Sequence, residues 1–309
     1  MNTTNPTHTR RDFLKTSSAT LALAALGPVV LAADENPPRA PDRRPMKKAI
    51  MWGTVGVKGT VLKKMKAIKA AGFDGTEMVS HMDQDEVLRA RDEAGLEIAS
   101  VCGKLIWNMP LSDPDPKVRE AGLEGLKQCL RDAKRYGAGS ILLVPGKVGK
   151  DTTYEECWTR SIAEIRKAIP LAGELGVKIS VENVWNDFIT KEDEALRYLN
   201  EINSPWVGWH FDCGNIIRYG DPIDWIKKLG ARINRVHIKE YSRDRAMRFG
   251  SYWEGFNVRL LEGANNWKGI VNALREAGYE SYLITEQSGG DSPEGLKDLC
   301  QRLEKIRVL

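Results

Sequence analysis

A single closed (β/α)8 barrel is the fold class that this chain predicts, and three observations predict it. Eight short apolar, β-rich runs recur along the chain, each ending on a polar or turn residue. Helical patterns separate them, and the punctuation repeats: KAAGFDG, DEAGLEI, KRYGAGS, GELGVKI, KKLGARI and REAGYES. A glycine after a helical run supplies a left-handed cap, and a strand follows within a few residues. Once a leader and linker are set aside, roughly 265 residues remain, more than one ordinary domain but normal for this barrel. Strict alternation on that scale favours a closed barrel over an open doubly wound sheet.

The elements follow in order. Thr9-Arg10-Arg11-Asp12-Phe13-Leu14-Lys15 precedes a modestly apolar stretch over 19–33, which resembles a twin-arginine export signal. The stretch is too short and too rich in Ala and Gly for a membrane span, and Val30-Leu31-Ala32 offers the small residues of a cleavage site. Residues 1–32 are therefore expected to be a leader, with a membrane anchor or a chance Arg pair as the alternative. No Cys follows the stretch, so no lipid attachment site is visible. The Pro-rich segment to residue 46, with Arg39, Arg43 and Arg44, reads as an extended linker. The barrel then occupies 47–309. Its strands are expected at 49–52, 75–79, 97–102, 140–144, 177–182, 207–212, 232–238 and 282–286, where β-branched and apolar residues concentrate. Helices are expected near 60–71, 83–94, 114–136, 154–175, 190–202, 222–229, 266–277 and 293–307. Gly53-Thr54-Val55-Gly56 after the first strand only echoes a glycine-rich turn. No G-x-G-x-x-G follows that strand, so a dinucleotide cradle is not expected there. The long segment 239–265 shows no clear periodicity, and such loops in compact domains usually serve function; it is expected to cover the site.

Charge gives little support to one class of partner. Forty-six basic against 42 acidic residues give +4, and removing residues 1–32 leaves 43 against 41, or +2. With no concentrated basic run outside leader and linker, nucleic-acid binding has little electrostatic support. Cys102, Cys129, Cys157, Cys213 and Cys300 are scattered, odd in number and without a CxxC, so buried thiols are expected rather than a disulfide framework. Cys213 beside Asp212 points to the other face of its strand and is expected to pack.

Four residues close four consecutive strands: Glu182 in KISVEN, Asp212 in VGWHFDCGN, His237 in NRVHIKE and Glu286 in YLITEQ. The C-terminal strand ends are where such barrels assemble active sites. Neighbouring strands lie about 4.8 Å apart in a closed barrel, so side chains at adjacent ends can share one cation. Three carboxylates and an imidazole suit a hard or borderline divalent ion, manganese first, with magnesium, cobalt or zinc as alternatives. A lone strand-end acid is as often a helix N-cap. Four at the same end argue for a site, with only His81, His210 and His237 beyond the leader to choose from.

With these pieces in place the chain resembles the divalent-metal-dependent sugar isomerases and epimerases with a xylose isomerase-like TIM barrel, a group that includes ketose 3-epimerases, hydroxypyruvate isomerase and inosose dehydratase. The resemblance rests on GFDGTEM, VEN, HFDCGN, VHIKEYSRDR and EGANNWKGIVNALREAGYESYLITEQ, which span nearly all of the barrel. It implies that Glu182, Asp212, His237 and Glu286 bind the metal, that Glu182 and Glu286 also move protons, and that Arg243 contacts substrate oxygens; a solvated surface Arg is the other reading of that position. The chemistry asks for these residue types. A cation chelated by a carbonyl and its neighbouring hydroxyl acidifies the adjacent C–H, and two glutamates flanking that carbon remove and return the proton through an enediolate.

Departures bear on the substrate. Asn215 stands where family members commonly carry His, and Phe188 where ketose 3-epimerases carry a second Glu. His-x-Lys-Glu at 237–240 resembles the His-x-Lys-Asp of the inosose dehydratase-like branch, so Lys239 is either catalytic or one half of a surface ion pair. Glu77 is expected to bond a sugar hydroxyl, or else to be an N-cap or core ion pair. His210 is a satisfied core histidine or a substrate contact, and His81 reaches substrate or solvent. Trp107, Trp185, Trp253 and Phe256 fall in loops where rings can stack on a sugar, or form a lid or subunit contact. The expected activity is a metal-dependent isomerase or epimerase of an unphosphorylated sugar or keto-sugar. The alternatives are a dehydratase using the same site and a non-catalytic sugar-binding barrel. The trinuclear zinc site of a barrel endonuclease would need more histidines than are present. Localisation is expected to be periplasmic, with no stable membrane insertion after cleavage. Relatives often form dimers or tetramers, and the sequence fixes no oligomeric state.

Overall fold

Alternating inward and outward residues on eight short strands, each relayed to the next by a helix, close into one ring. The computed structural model describes Met1 and residues 45–309; the leader and nearly all of the linker lie outside the described residues. The strands are β1 (Lys47–Met51), β2 (Gly75–Val79), β3 (Glu97–Cys102), β4 (Ser140–Leu143), β5 (Lys178–Glu182), β6 (Val207–Asp212), β7 (Ile233–Ile238) and β8 (Tyr282–Thr285). All pair in parallel in chain order, and β1 closes the barrel on β8. The helices are α1 (Val61–Ala70), α2 (Gln84–Ala94), α3 (Pro116–Tyr136), α4 (Tyr154–Leu175), α5 (Glu192–Ile202), α6 (Cys213–Ile216), α7 (Pro222–Leu229), α8 (Arg243–Phe249), α9 (Trp267–Glu276) and α10 (Pro293–Arg307). Thr60, Asp83, Asp115 and Thr153 cap the first four through side-chain oxygens, and Gly95, Gly137 and Gly176 stop α2, α3 and α4 in the left-handed conformation.

Period two on β6 shows how the layers arise. Trp209 and Phe211 point outward onto Trp225 of α7, with ring centroids 6.0 and 6.3 Å away; His210 and Asp212 point into the barrel, both fully buried. Aromatic pairs of this kind contribute about 0.5–1.5 kcal/mol each beyond area burial. Inside, Ala49, Ala99 and Ile284 fill one level, and Ser140, Ser180 and Asn234 bond one another, at 2.6 and 2.9 Å. The polar residues above them face the C-terminal mouth. All five cysteines are free and buried.

Several boundaries move. β1 begins at Lys47 and ends at Met51, with Trp52 in a 3-10 turn, and β8 ends at Thr285 rather than Glu286. The segment 239–265 is not structureless, because α8 and a 3-10 turn over Tyr252–Phe256 lie within it. α8 is one charged seven-residue run, RDRAMRF, too short to show a period. No helix among the described residues is long and apolar enough to cross a membrane.

Candidate functional site

The strand register brings the four expected residues together. Glu182 pairs with His210 across β5 and β6, and Asp212 with His237 across β6 and β7, after a register shift between Trp209 and His210. Such an irregularity re-aims side chains at the rim of a sheet. Glu286 lies one residue past β8, yet its N–H still donates to Ile238 O at 3.1 Å, so it keeps the inward direction set by Ile284. One ligand atom from each of Glu182, Asp212, His237 and Glu286 lies within 4.8 Å of all the others. His237 Nδ1 stands 3.0 Å from Glu182 Oε1 and 3.1 Å from Glu286 Oε2.

A buried cluster of three carboxylates is costly without cations. Asp212 Oδ2 has no hydrogen-bond partner although it is fully buried, and burial pushes the Asp212 carboxyl up to about 7. Burial likewise raises Glu182, against the pull of His237. Burial would raise Glu286 too, but Lys239 and His237 outweigh it and hold that carboxyl well below the usual range. Lys239 Nζ lies 3.1 Å from Glu286 Oε2 and 3.7 Å from Asp212 Oδ2. Burial opposes its charge, yet Glu286, Asp212 and Glu182 raise its pKa. A divalent ion fits this donor set: it would satisfy the orphaned Asp212 oxygen and neutralise charge that one lysine and one histidine only partly offset.

Glu77 forms a core ion pair with His237. It is fully buried, its Oε2 accepts from His237 Nε2 at 2.8 Å, and its Oε1 accepts from Ser100 Oγ. A register shift between Thr76 and Glu77 places it opposite Ser100. The carboxylate thus fixes which imidazole nitrogen faces the cluster. His210 is a core histidine without a hydrogen bond at either ring nitrogen; its Nε2 lies 3.8 Å from Glu77 Oε1, its ring meets that of His237 at 4.2 Å, and burial, with His237, drives its pKa well down.

The other expected residues find these partners. Asn215 donates its amide to Asn183 O at 3.0 Å and its N–H to Asp212 Oδ1 at 2.8 Å, which fixes its side chain against the loop after β5. Arg243 donates to Ile217 O at 2.8 Å and lines a cavity with Tyr241 and Tyr252. Trp107 is 54% exposed in the turn after β3, and among the described residues no hydrogen bond or ring contact joins it to the cluster. His81 holds a positive φ of 62°, with Nδ1 2.7 Å from Ser80 Oγ and its N–H on buried Asp132 at 2.7 Å. Trp185 packs on Phe256 and Trp253 at 4.8 and 4.7 Å, and Phe256 lies 4.8 Å from Lys239 Nζ.

Two organisers were not singled out from sequence. Asn183 Oδ1 accepts from Asp212 N–H at 3.1 Å and Trp209 Nε1 at 3.0 Å; its place directly after Glu182 was the available signal. Glu240, buried, accepts from Leu261 N–H, Asn265 N–H and Trp267 Nε1 at 2.9, 3.2 and 2.7 Å. It ties down the excursion that carries α8.

A parallel barrel with three acids and a histidine converging at its C-terminal mouth presents a candidate divalent-metal site where barrel enzymes place their active sites. The model of the xylose isomerase-like TIM barrel family matches residues 65–306, and the chain belongs to that family. It is 25% identical over 239 residues to L-ribulose-5-phosphate 3-epimerase UlaE of Salmonella heidelberg (strain SL476), covering 72% of this chain and 81% of that one. The UlaE of Escherichia coli O157:H7 is 26% identical over 243 residues, with the same coverage. Among solved structures, the 3-keto-D-glucoside 4-epimerase YcjR of E. coli superposes with a TM-score of 0.72 at 18% identity, over 85% of this chain and 100% of that one. An L-ribulose 3-epimerase gives 0.70 at 19% identity, over 85% and 96%. These structures share the fold.

Proposed function

We propose that this sugar isomerase or epimerase acts on an unphosphorylated sugar or keto-sugar with one divalent cation, manganese foremost, held by Glu182, Asp212, His237 and Glu286. The observation that carries the reading is the convergence of these four ligand atoms within 4.8 Å, with Glu182 and Glu286 arriving from strands three apart on the ring. A bound cation polarises a carbonyl and lowers the pKa of the neighbouring C–H. The chain's own part is to flank that carbon with two carboxylates in different environments, one raised and one held low. Proton removal by one and return by the other is then general acid–base work. Lys239, locked to Glu286, keeps that carboxylate ionised. The curated relatives named above are epimerases, which favours return of the proton over expulsion of a leaving group.

The test is proton exchange by NMR in deuterated water, with manganese-loaded protein and a panel of ketoses, 3-keto-glucosides and inososes. Deuterium at one carbon with a new sugar isomer is expected, and Glu286→Gln should lose it by at least about a hundredfold. An unsaturated product would instead mark a dehydratase, and full exchange by a folded Glu286→Gln protein would defeat the assignment. We propose in addition that residues 1–32 direct twin-arginine export to the periplasm; activity there surviving Arg10→Lys with Arg11→Lys would sink that idea.

A further inference from the structure

A cavity of about 420 Å3 opens on the catalytic face, between the segment after β6 and α8, where no metal ligand lines it. Its walls include Ile217, Tyr241, Met247 and Tyr252, and two guanidiniums, Arg218 and Arg243, but no acidic side chain and no lysine. Among the described residues neither arginine has a carboxylate within ion-pair distance. Glu254, on the same excursion, is already taken by Arg245 and Asn257, at 3.1 and 3.0 Å. Three rings surround the Arg218 guanidinium: Tyr252 at 4.5 Å, Trp185 at 4.9 Å and Tyr219 at 5.2 Å. A cation–π contact uses none of the N–H donors, which stay available to a planar acceptor. Arg243 spends one N–H on Ile217 O, and four of its five donors remain.

Two uncompensated cations at one recess, walled by tyrosine and methionine, suit a ligand that is anionic at one end and apolar on its faces. A carboxylate on a pyranose ring has that form, since the planar oxyanion takes the arginine fork and the C–H faces lie on aromatic rings. A chain of contacts links the cavity wall to the cluster. Tyr241 in its wall packs on Phe256 at 5.0 Å, and Phe256 lies 4.8 Å from Lys239 Nζ, which touches Glu286. We infer that this recess is a subsite for a carboxylated sugar unit joined to the sugar that reacts, so that the enzyme takes an acidic glycoside rather than a lone monosaccharide. Calling it part of the substrate site rests on the function proposed above; the binding of the acid itself does not.

The experiment therefore omits the metal. EDTA-treated, dialysed protein is titrated by calorimetry at low salt with methyl β-D-glucuronide, methyl β-D-glucoside and D-glucose 6-phosphate. The uronide is expected to bind at least about tenfold more tightly than the neutral glucoside, the worth of one charge-assisted pair. Arg218→Gln, at an exposed position, should cut that preference below about threefold with no change in Tm. Tyr252→Ala, which removes one of the three rings, should weaken the uronide alone and serves if Arg218→Gln does not fold. Equal binding of uronide and glucoside, no binding, or a preference that survives Arg218→Gln would overturn the subsite. Tighter binding of the phosphate would overturn the carboxylate. Loss of deuterium exchange with uronide binding intact would strike the proposed chemistry and leave the subsite standing.

Discussion

Glu77→Gln separates positioning from ligation, because Glu77 touches His237 but offers nothing to the four-residue cluster. Gln is nearly isosteric, and its amide oxygen can still accept from His237 Nε2, now 2.8 Å from Glu77 Oε2. What disappears is the charge on the acceptor. A hydrogen bond to a charged group is worth about 1.5–3 kcal/mol against about 0.5–1.5 for a neutral one, so about 1–2 kcal/mol of imidazole orientation and basicity is lost. That corresponds to roughly tenfold in manganese affinity, within the range for residues that orient metal-bound histidines. A second effect opposes it. Burial disfavours a charged His237, but Glu77, Glu182 and Glu286 raise its pKa well above the ordinary value; removing one of them eases loss of the competing proton. The deficit in Glu77→Gln should therefore be small near pH 6.5 and grow toward pH 8.5, where protons compete less. Titration of metal-free protein with manganese by calorimetry at both pH values, with Tm measured alongside, reads this directly. Affinity within twofold of the parent at pH 8.5, or a deficit that does not change with pH, would refute the positioning role.

Three more outcomes follow from the same geometry. In metal-free protein the Asp212 carboxyl sits at about 7, so it is protonated below that pH and must release its proton to coordinate; manganese affinity should fall by up to about tenfold per pH unit below 7 and level off above it, as read by competitive titration. Lys239→Met removes a cation 3.1 Å from Glu286 Oε2 and 3.7 Å from Asp212 Oδ2, two pair interactions of about 5 kcal/mol each at an effective dielectric of 20. The metal-free Tm should drop while the Tm gain on adding manganese increases, and an unchanged gain would count against the lysine as the cluster's counter-charge. Glu240→Gln replaces one of the two acceptor oxygens by an NH2, which must face either the Asn265 N–H or the Leu261 and Trp267 N–H groups, costing about 2–4 kcal/mol. Limited proteolysis should then cut within 239–265 faster than in the parent, and equal rates would show that the excursion does not depend on this anchor.

Much of the molecule was written locally. Eight β-rich runs with glycine stops after the helices specify the barrel, because binary pattern and caps act over a few residues. The convergence of Glu182, Asp212, His237 and Glu286 was legible for the same reason: polar residues at the C-terminal ends of four consecutive barrel strands lie at one rim of the ring. The sequence by itself could not set the role of Glu77, since its bond to His237 spans 160 residues and depends on register shifts at Thr76/Glu77 and Trp209/His210. Nor could it show that Asn215 turns back on Asn183, that Arg243 leaves the cluster for Ile217, or that 239–265 folds into α8 around a buried Glu240. In each case a polar group buried by closure of the barrel must find a partner where the chain happens to pass, and only the tertiary structure decides where that is.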